Sequence, residues 1–341
     1  MPRRRRWTAS PAVRYNAGGR AASSARVSAG AVSMPTNPPS VEGKIPFRGH
    51  QVWYRTVGAA DGAGKLPLLC LHGGPGVPHD YLEPLEAVAA SGRPVVFYDQ
   101  LGCGNSDQPR DRSMWTVDLF LDELRTVRQA LGLDRIHLLG QSWGGMLAMQ
   151  YAATRPAGLA SLTVASSPAR MVDWEAAADD LRRQLPPDVQ EVLARHESAG
   201  TTDAPEYAAA VTVFYRRHVC RLDPWPPCVA RAFEKVAANP EVYQTMWGPS
   251  EFHVTGVLKG WDVSADLHRV DCPTLVTSGL YDEASEAVVE PIVRLIPGAR
   301  QVLFRDSSHM SHVEEADLFV RTLAEFLAGV EAAGDRNGLP V

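Results

Sequence analysis

From Lys44 onward, short apolar runs bounded by polar turns alternate with stretches whose apolar residues recur at helical spacing. The runs at 66–71, 94–98, 136–139, 161–165, 274–278 and 301–304 are nearly continuous, the pattern of strands buried on both faces. Residues 44–57 read instead as a hairpin turning near Arg48-Gly49. Between the second and third runs, Val117, Phe120, Leu121, Leu124, Val127 and Leu131 fall on one helical face. This alternation predicts an α/β chain with a mostly parallel sheet flanked by helices.

The rhythm breaks between residues 168 and 256, a stretch rich in helix formers, Trp and Pro. It holds no convincing strand, so a helical cap is expected there, inserted before the last two strands. The implied organisation is a tail over 1–40, core over 41–167, cap over 168–256, core over 257–333 and a frayed end over 334–341.

Composition narrows the function classes. The chain has 341 residues, 45% apolar and 21% charged, and no run of 18 apolar residues to span a membrane. Its net charge of −5 averages two unlike pieces, because residues 1–33 hold seven Arg and no acid, leaving 27 basic and 39 acidic residues beyond them. An acidic body argues against a nucleic-acid partner or a membrane surface. Only four Lys stand against 30 Arg, which reads as the coding bias of a GC-rich genome. The tail lacks the apolar core of a secretory signal. Its Arg- and Ser-rich character would suit a transit peptide, but the favoured expectation is a disordered extension or a start placed ahead of Met34. Five scattered cysteines without a CxxC pair suit free thiols in the cytoplasm and offer no metal site. No cofactor is expected, and oligomeric state is not readable.

Gly140-Gln141-Ser142-Trp143-Gly144 matches G-x-S-x-G, with the strand pattern IHLLG before it and the helix pattern MLAMQYAAT after it. A serine held on so sharp a strand-to-helix turn projects its hydroxyl at the head of the sheet, and the next residue's N–H becomes an oxyanion donor. The hydroxyl needs a base, and the base needs an orienting acid. The later strands end in Leu280-Tyr281-Asp282-Glu283 and in Ser307-Ser308-His309, at carboxyl ends where such a sheet gathers its site. Asp282 and His309 are therefore the expected acid and base, with His312 as competitor.

His72-Gly73-Gly74-Pro75-Gly76 follows another strand, and by position Gly74 and Trp143 supply the oxyanion N–H groups. Cys103, on a nearby loop, is expected to make the protein sensitive to thiol reagents. The sequence around Gly102-Cys103-Gly104 lacks the third Gly of a dinucleotide loop, and Gly64-Lys65 lacks the surroundings of a P-loop.

In combination these segments resemble the proline iminopeptidase family of α/β-hydrolases, closest to its tricorn-interacting aminopeptidase branch. The motifs are HGGPG at 72–76, YDQLGCGNSD at 98–107, GQSWGG at 140–145, DPWPP at 223–227, GPSEF at 248–252, GLYDE at 279–283 and FRDSSH at 304–309. The likeness runs from about Val41 to Leu327 and leaves out the basic tail. It implies an α/β-hydrolase fold and a serine aminopeptidase acting on small peptides. It also implies that Glu251 and Glu283 hold the substrate's free amino group. An exopeptidase must count one residue from a free amine, and a fixed pair of carboxylates reads that ammonium charge.

Trp174, Trp225, Trp247 and Tyr207 either line a pocket for a Pro or small apolar side chain or pack the cap. Short motifs do not fix the pocket, so Pro preference is not implied by the resemblance alone. Three functions stay open: a serine aminopeptidase removing an N-terminal residue, an amidase or esterase acting on small aminoacyl compounds, and a ligand-binding protein that barely turns over.

Overall fold

The computed structural model describes residues 39–58 and 64–336. The expectations for residues 1–38 and for the final five residues lie outside them. The expected hairpin forms from β1 (Ser40–Phe47) and β2 (His50–Val57), paired antiparallel from Phe47 opposite His50. Arg48 and Gly49 both take positive φ (48° and 84°), as a two-residue turn matching the strand twist requires.

The apolar runs become β3 (Leu68–Leu71), β4 (Val95–Tyr98), β5 (Ile136–Gln141), β6 (Leu159–Ala165), β7 (Thr274–Gly279) and β8 (Arg300–Phe304). β3, β4, β5 and β7 are buried along their whole length, which explains why they do not alternate. The sheet order is β1-β2-β4-β3-β5-β6-β7-β8, and every pair from β4 to β8 is parallel. The chain therefore steps from β3 outward to β4 and back across to β5. A crevice opens at such a reversal, above the carboxyl ends of β3 and β5.

Helices connect the strands. In α1 (Val117–Ala130) the Thr116 hydroxyl caps Leu119 N–H, and Phe120, Leu121, Leu124 and Val127 are buried as their spacing predicts. α2 (Trp143–Ala153) follows β5 directly. A long 3-10 segment, His79–Ser91, links β3 to β4 and has no clear periodicity in the sequence.

Between β6 and β7 stands the helical insertion, comprising α3 (Met171–Arg182), α4 (Pro187–Ala199), α5 (Pro205–His218), α6 (Pro227–Ala238) and α7 (Glu241–Met246). Pro at the first turn starts α4, α5 and α6, where its missing N–H has no helical partner to lose. Arg170 and Asp262 bridge at the neck where the chain leaves and returns. α6 packs on the 3-10 segment, with Lys235 at 2.8 Å from the buried Asp80 and Arg231 at 2.5 Å from Glu83. After β7 come α8 (Glu286–Leu295), the short α9 (Ser311–Glu314) and α10 (Ala316–Arg336). Among the described residues no helix is long and apolar enough to cross a membrane.

Candidate active site

Ser142 sits between the last residue of β5 and the first of α2, with φ 58° and ψ −124°. That conformation costs a side-chain-bearing residue of order 1–3 kcal/mol and persists only where the surroundings over-determine it. Here they do. Ser142 N–H donates to Ala165 O at 2.9 Å, and its carbonyl accepts from Gly145 N–H at 2.9 Å and from the Ser167 hydroxyl at 2.5 Å. A Cβ on Gly140 would collide with the Gly144 backbone, and one on Gly144 with the Leu71 carbonyl, so the flanking glycines are steric necessities.

Asp282 and His309 lie beyond the ends of β7 and β8 and meet over the sheet. His309 Nδ1–H donates to Asp282 Oδ1 at 2.8 Å. The same oxygen accepts from Ala284 N–H at 2.8 Å, and Oδ2 from Gly279 N–H at 3.3 Å, which fixes the carboxylate's plane. Burial alone would lower the His309 pKa, but the charge and hydrogen bond of Asp282, helped by Glu251, raise it above the ordinary imidazole value. His309 and Ser142 line one narrow cleft with Gly74 and Glu251. His312 is elsewhere: its Nε2 donates to Tyr81 O at 3.1 Å, and burial drives its pKa down to about 3.

On the opposite wall, Gly73 N–H donates to the Tyr81 hydroxyl at 2.6 Å, and the next residue, Gly74, lines the cleft. Trp143 N–H opens α2, where helical N–H groups have no partner within the helix. These two groups flank Ser142 from separate segments.

The two glutamates carry the unusual electrostatics. Glu251 is held by its backbone: Trp174 Nε1–H and Trp247 Nε1–H donate to its carbonyl at 2.8 and 3.2 Å, and its N–H reaches the Tyr215 hydroxyl at 3.3 Å. Its Oε1 accepts from the Tyr243 hydroxyl at 2.8 Å. Its Oε2 and both oxygens of Glu283 are buried without a hydrogen-bond partner. Burial raises the Glu251 pKa to about 6. Burial, followed by the charges of Glu251 and Asp282, pushes Glu283 well above the carboxylate range. Glu283 Oε1 lies 3.8 Å from His309 Nε2, and Glu251 lines the cleft with Ser142 and His309. Buried carboxylates lacking donors are costly, and they mark a place where a cation would be strongly held.

Sequence reasoning left two matters unresolved or wrong. Trp174 and Trp247 neither line a pocket nor merely pack: they are fully buried and clamp Glu251, a partnership between residues 77 and 4 positions apart that no local pattern announces. Tyr207 and Trp225, by contrast, do line a cavity of about 390 Å³ inside the insertion. Cys103 does not have the exposed, thiolate-favouring surroundings that sensitivity to thiol reagents requires. It is buried, its Sγ donates to Gln100 O at 3.1 Å, and burial raises its pKa well above the ordinary thiol value, which suppresses the thiolate. Among the described residues no three His, Cys, Asp or Glu side chains gather as a metal-binding group.

The family model of the alpha/beta hydrolase fold matches residues 67–316. A proline iminopeptidase from Heyndrickxia coagulans is 39% identical over 289 residues, 85% of this chain and 99% of that protein. Among solved structures, the crystal structure of VinJ superposes with a TM-score of 0.84 at 46% identity, covering 86% of this chain and all (100%) of the other. The crystal structure of a proline iminopeptidase from Mycobacterium smegmatis gives 0.80 at 43% identity, covering 86% and 100%.

Proposed function

The chain belongs to the proline iminopeptidase family of α/β-hydrolases and is a serine-type peptidase of that family, and we propose that it removes an N-terminal Pro or small apolar residue from short peptides. His309 Nε2 takes the Ser142 proton as Oγ attacks the first peptide carbonyl. The carbonyl oxygen becomes an oxyanion held by Gly74 and Trp143 N–H. The C–N bond then breaks, and the departing amine takes the proton from His309. Water, deprotonated by the same imidazole, releases the free amino acid from the acyl-enzyme. Asp282 keeps the imidazole in the Nδ1–H tautomer and stabilises the imidazolium.

The observation that supports this reading is a pair of buried carboxylates near His309, three of whose four oxygens have no hydrogen-bond partner. An α-ammonium supplies the donors that Glu251 and Glu283 lack, each charge-assisted bond contributing about 1.5–3 kcal/mol. An N-acylated substrate would leave the acids uncompensated. The test is a panel of aminoacyl p-nitroanilides with N-acetylated controls; free-amine substrates should turn over and acetylated ones should not, and equal rates would refute the assignment.

A second reading, an aminoacyl amidase or esterase, gains support from the cavity between α5, α6 and α7. No charged side chain lines it, and it shares Val77 and Phe233 with the catalytic cleft. A dipeptide would bring a free carboxylate toward a wall without a cation, whereas an apolar amine or alcohol would be at home there. Comparing Pro-amide, Pro-p-nitroanilide and longer Pro peptides separates the two. All five cysteines are free thiols, which supports a cytoplasmic location.

A further inference from the structure

The two oxyanion donors come from different segments, the loop after β3 and the start of α2, and something must set the distance between them. Tyr81 ties Gly73 to Gln141 through its hydroxyl, and Gln100 joins the same loop to Trp143 itself, by one backbone and two side-chain hydrogen bonds. Gln100, in the loop after β4, donates its backbone N–H to His72 Nε2 at 2.9 Å and its side-chain Nε2–H to His72 O at 3.1 Å. Its Oε1 accepts from Trp143 Nε1–H at 2.9 Å. His72 is two residues before Gly74, and Trp143 carries the other oxyanion N–H itself. We propose that Gln100 is a positioning residue that holds the two arms of the oxyanion hole at their working separation; the proposal rests on the serine-hydrolase reading given above.

The surroundings make Gln100 rigid enough for that task. It is buried, and its neighbours are pinned on both sides. Asp99 accepts from His79 N–H and Nδ1 at 2.9 and 2.7 Å and from Asn105 N–H at 2.8 Å. Leu101 N–H donates to the buried Glu123 at 2.6 Å. Trp143 is wedged edge-on against Phe120 of α1 at 5.9 Å, so its indole cannot swing away from the amide. A donor must lie within a few tenths of an ångström of the oxyanion to act, and the oxyanion forms only in the transition state. Loosening the two arms therefore lowers kcat and leaves ground-state binding, which is governed by Glu251 and Glu283, almost untouched.

The experiment compares wild type, Gln100→Leu, Trp143→Phe and the double variant on Pro-p-nitroanilide, with Ser142→Ala as the control for the mechanism. Outright loss of one donor costs about 10²–10³ in rate, so a displaced donor in Gln100→Leu should cost roughly 10- to 100-fold in kcat, with KM within about threefold of wild type. Affinity for a free-amine prolyl boronate, which forms a tetrahedral adduct on Ser142, should fall by the same factor. Trp143→Phe keeps the backbone N–H and removes the Gln100 hydrogen bond together with some buried packing, so it should lose part of the same activity. The double variant should be no worse than Gln100→Leu alone. Wild-type kcat in either single variant, strictly additive losses, or a fall in kcat without a matching fall in boronate affinity would overturn the proposal. Retained hydrolysis in Ser142→Ala would instead overturn the serine mechanism on which it rests.

Discussion

A partly buried glutamate and a fully buried pair of glutamates stand at opposite ends of one sheet and show opposite electrostatics. At the amino ends of the strands, Glu331 of α10 receives Arg93 through both oxygens at 2.8 Å, Leu66 N–H at 2.9 Å and His137 Nε2 at 3.4 Å. Burial would raise its pKa, but His137, Arg93 and Leu66 together hold it far below the carboxylate range. At the carboxyl ends, Glu251 and Glu283 keep three oxygens without a partner, and burial raises both. The same residue type is thus a fully bonded architectural tie at one end and incompletely bonded at the other, where we propose that it receives the substrate's ammonium. A buried acid with all its donors present explains itself through folding; one without them needs a function.

Substitutions can break this contrast, and the largest effect belongs to Ser142, the proposed nucleophile. Ser142→Ala should reduce kcat by about 10⁶ without altering the melting temperature downward. Asp282→Asn should cost about 10⁴ in kcat, because the amide favours the wrong imidazole tautomer. It should also move the rising limb of the kcat/KM pH profile down. In wild type that limb must lie above about pH 6.5, since Asp282 stabilises the protonated base that has to lose its proton before it can act.

Glu331→Gln comes next and acts on stability alone. It removes the charge facing Arg93, whose side chain is buried and keeps its bond to the Leu66 carbonyl, and should destabilise by about 1.5–3 kcal/mol at pH 7 while folded enzyme keeps its kcat. The Glu331 pKa is depressed by folding, so its contribution is present above the unfolded value of about 4.3 and is lost as pH falls; the gap between variant and wild type should close in acid. Glu283→Gln should do the reverse. Its raised pKa means that the native state of wild type loses stability as pH climbs above about 4.3, so the variant should melt higher at neutral pH. The same variant should lose roughly 10- to 100-fold in kcat/KM on free-amine substrates, the scale of one charge-assisted hydrogen bond. Thermal melts across pH, set beside turnover of Pro-p-nitroanilide, separate the tie from the receptor.

Much of the fold was legible because its punctuation is local. The apolar runs, the Arg48-Gly49 turn and the small residues around Ser142 each report a backbone requirement that nearby sequence alone imposes. That Asp282 and His309 meet was legible because strand ends and chain order constrain where they can fall. The rest depends on tertiary partners. Glu123 sits among polar positions of α1 yet is buried, because it holds Leu101 N–H and so the loop bearing Gln100. Cys103 lies close to the site in sequence logic but is sealed beneath it. The indoles of Trp174 and Trp247 became intelligible only once the Glu251 carbonyl lay between them.

The receptor role of the two glutamates can be read without turnover. Isothermal titration of the Ser142→Ala variant with L-prolinamide and with N-acetyl-L-prolinamide compares one ligand that carries the ammonium with one that does not. The free amine should bind at least about 100-fold more tightly, in line with two charge-assisted bonds, and adding Glu251→Gln should erase most of that preference. Equal affinities for the two ligands would contradict the role assigned to Glu251 and Glu283.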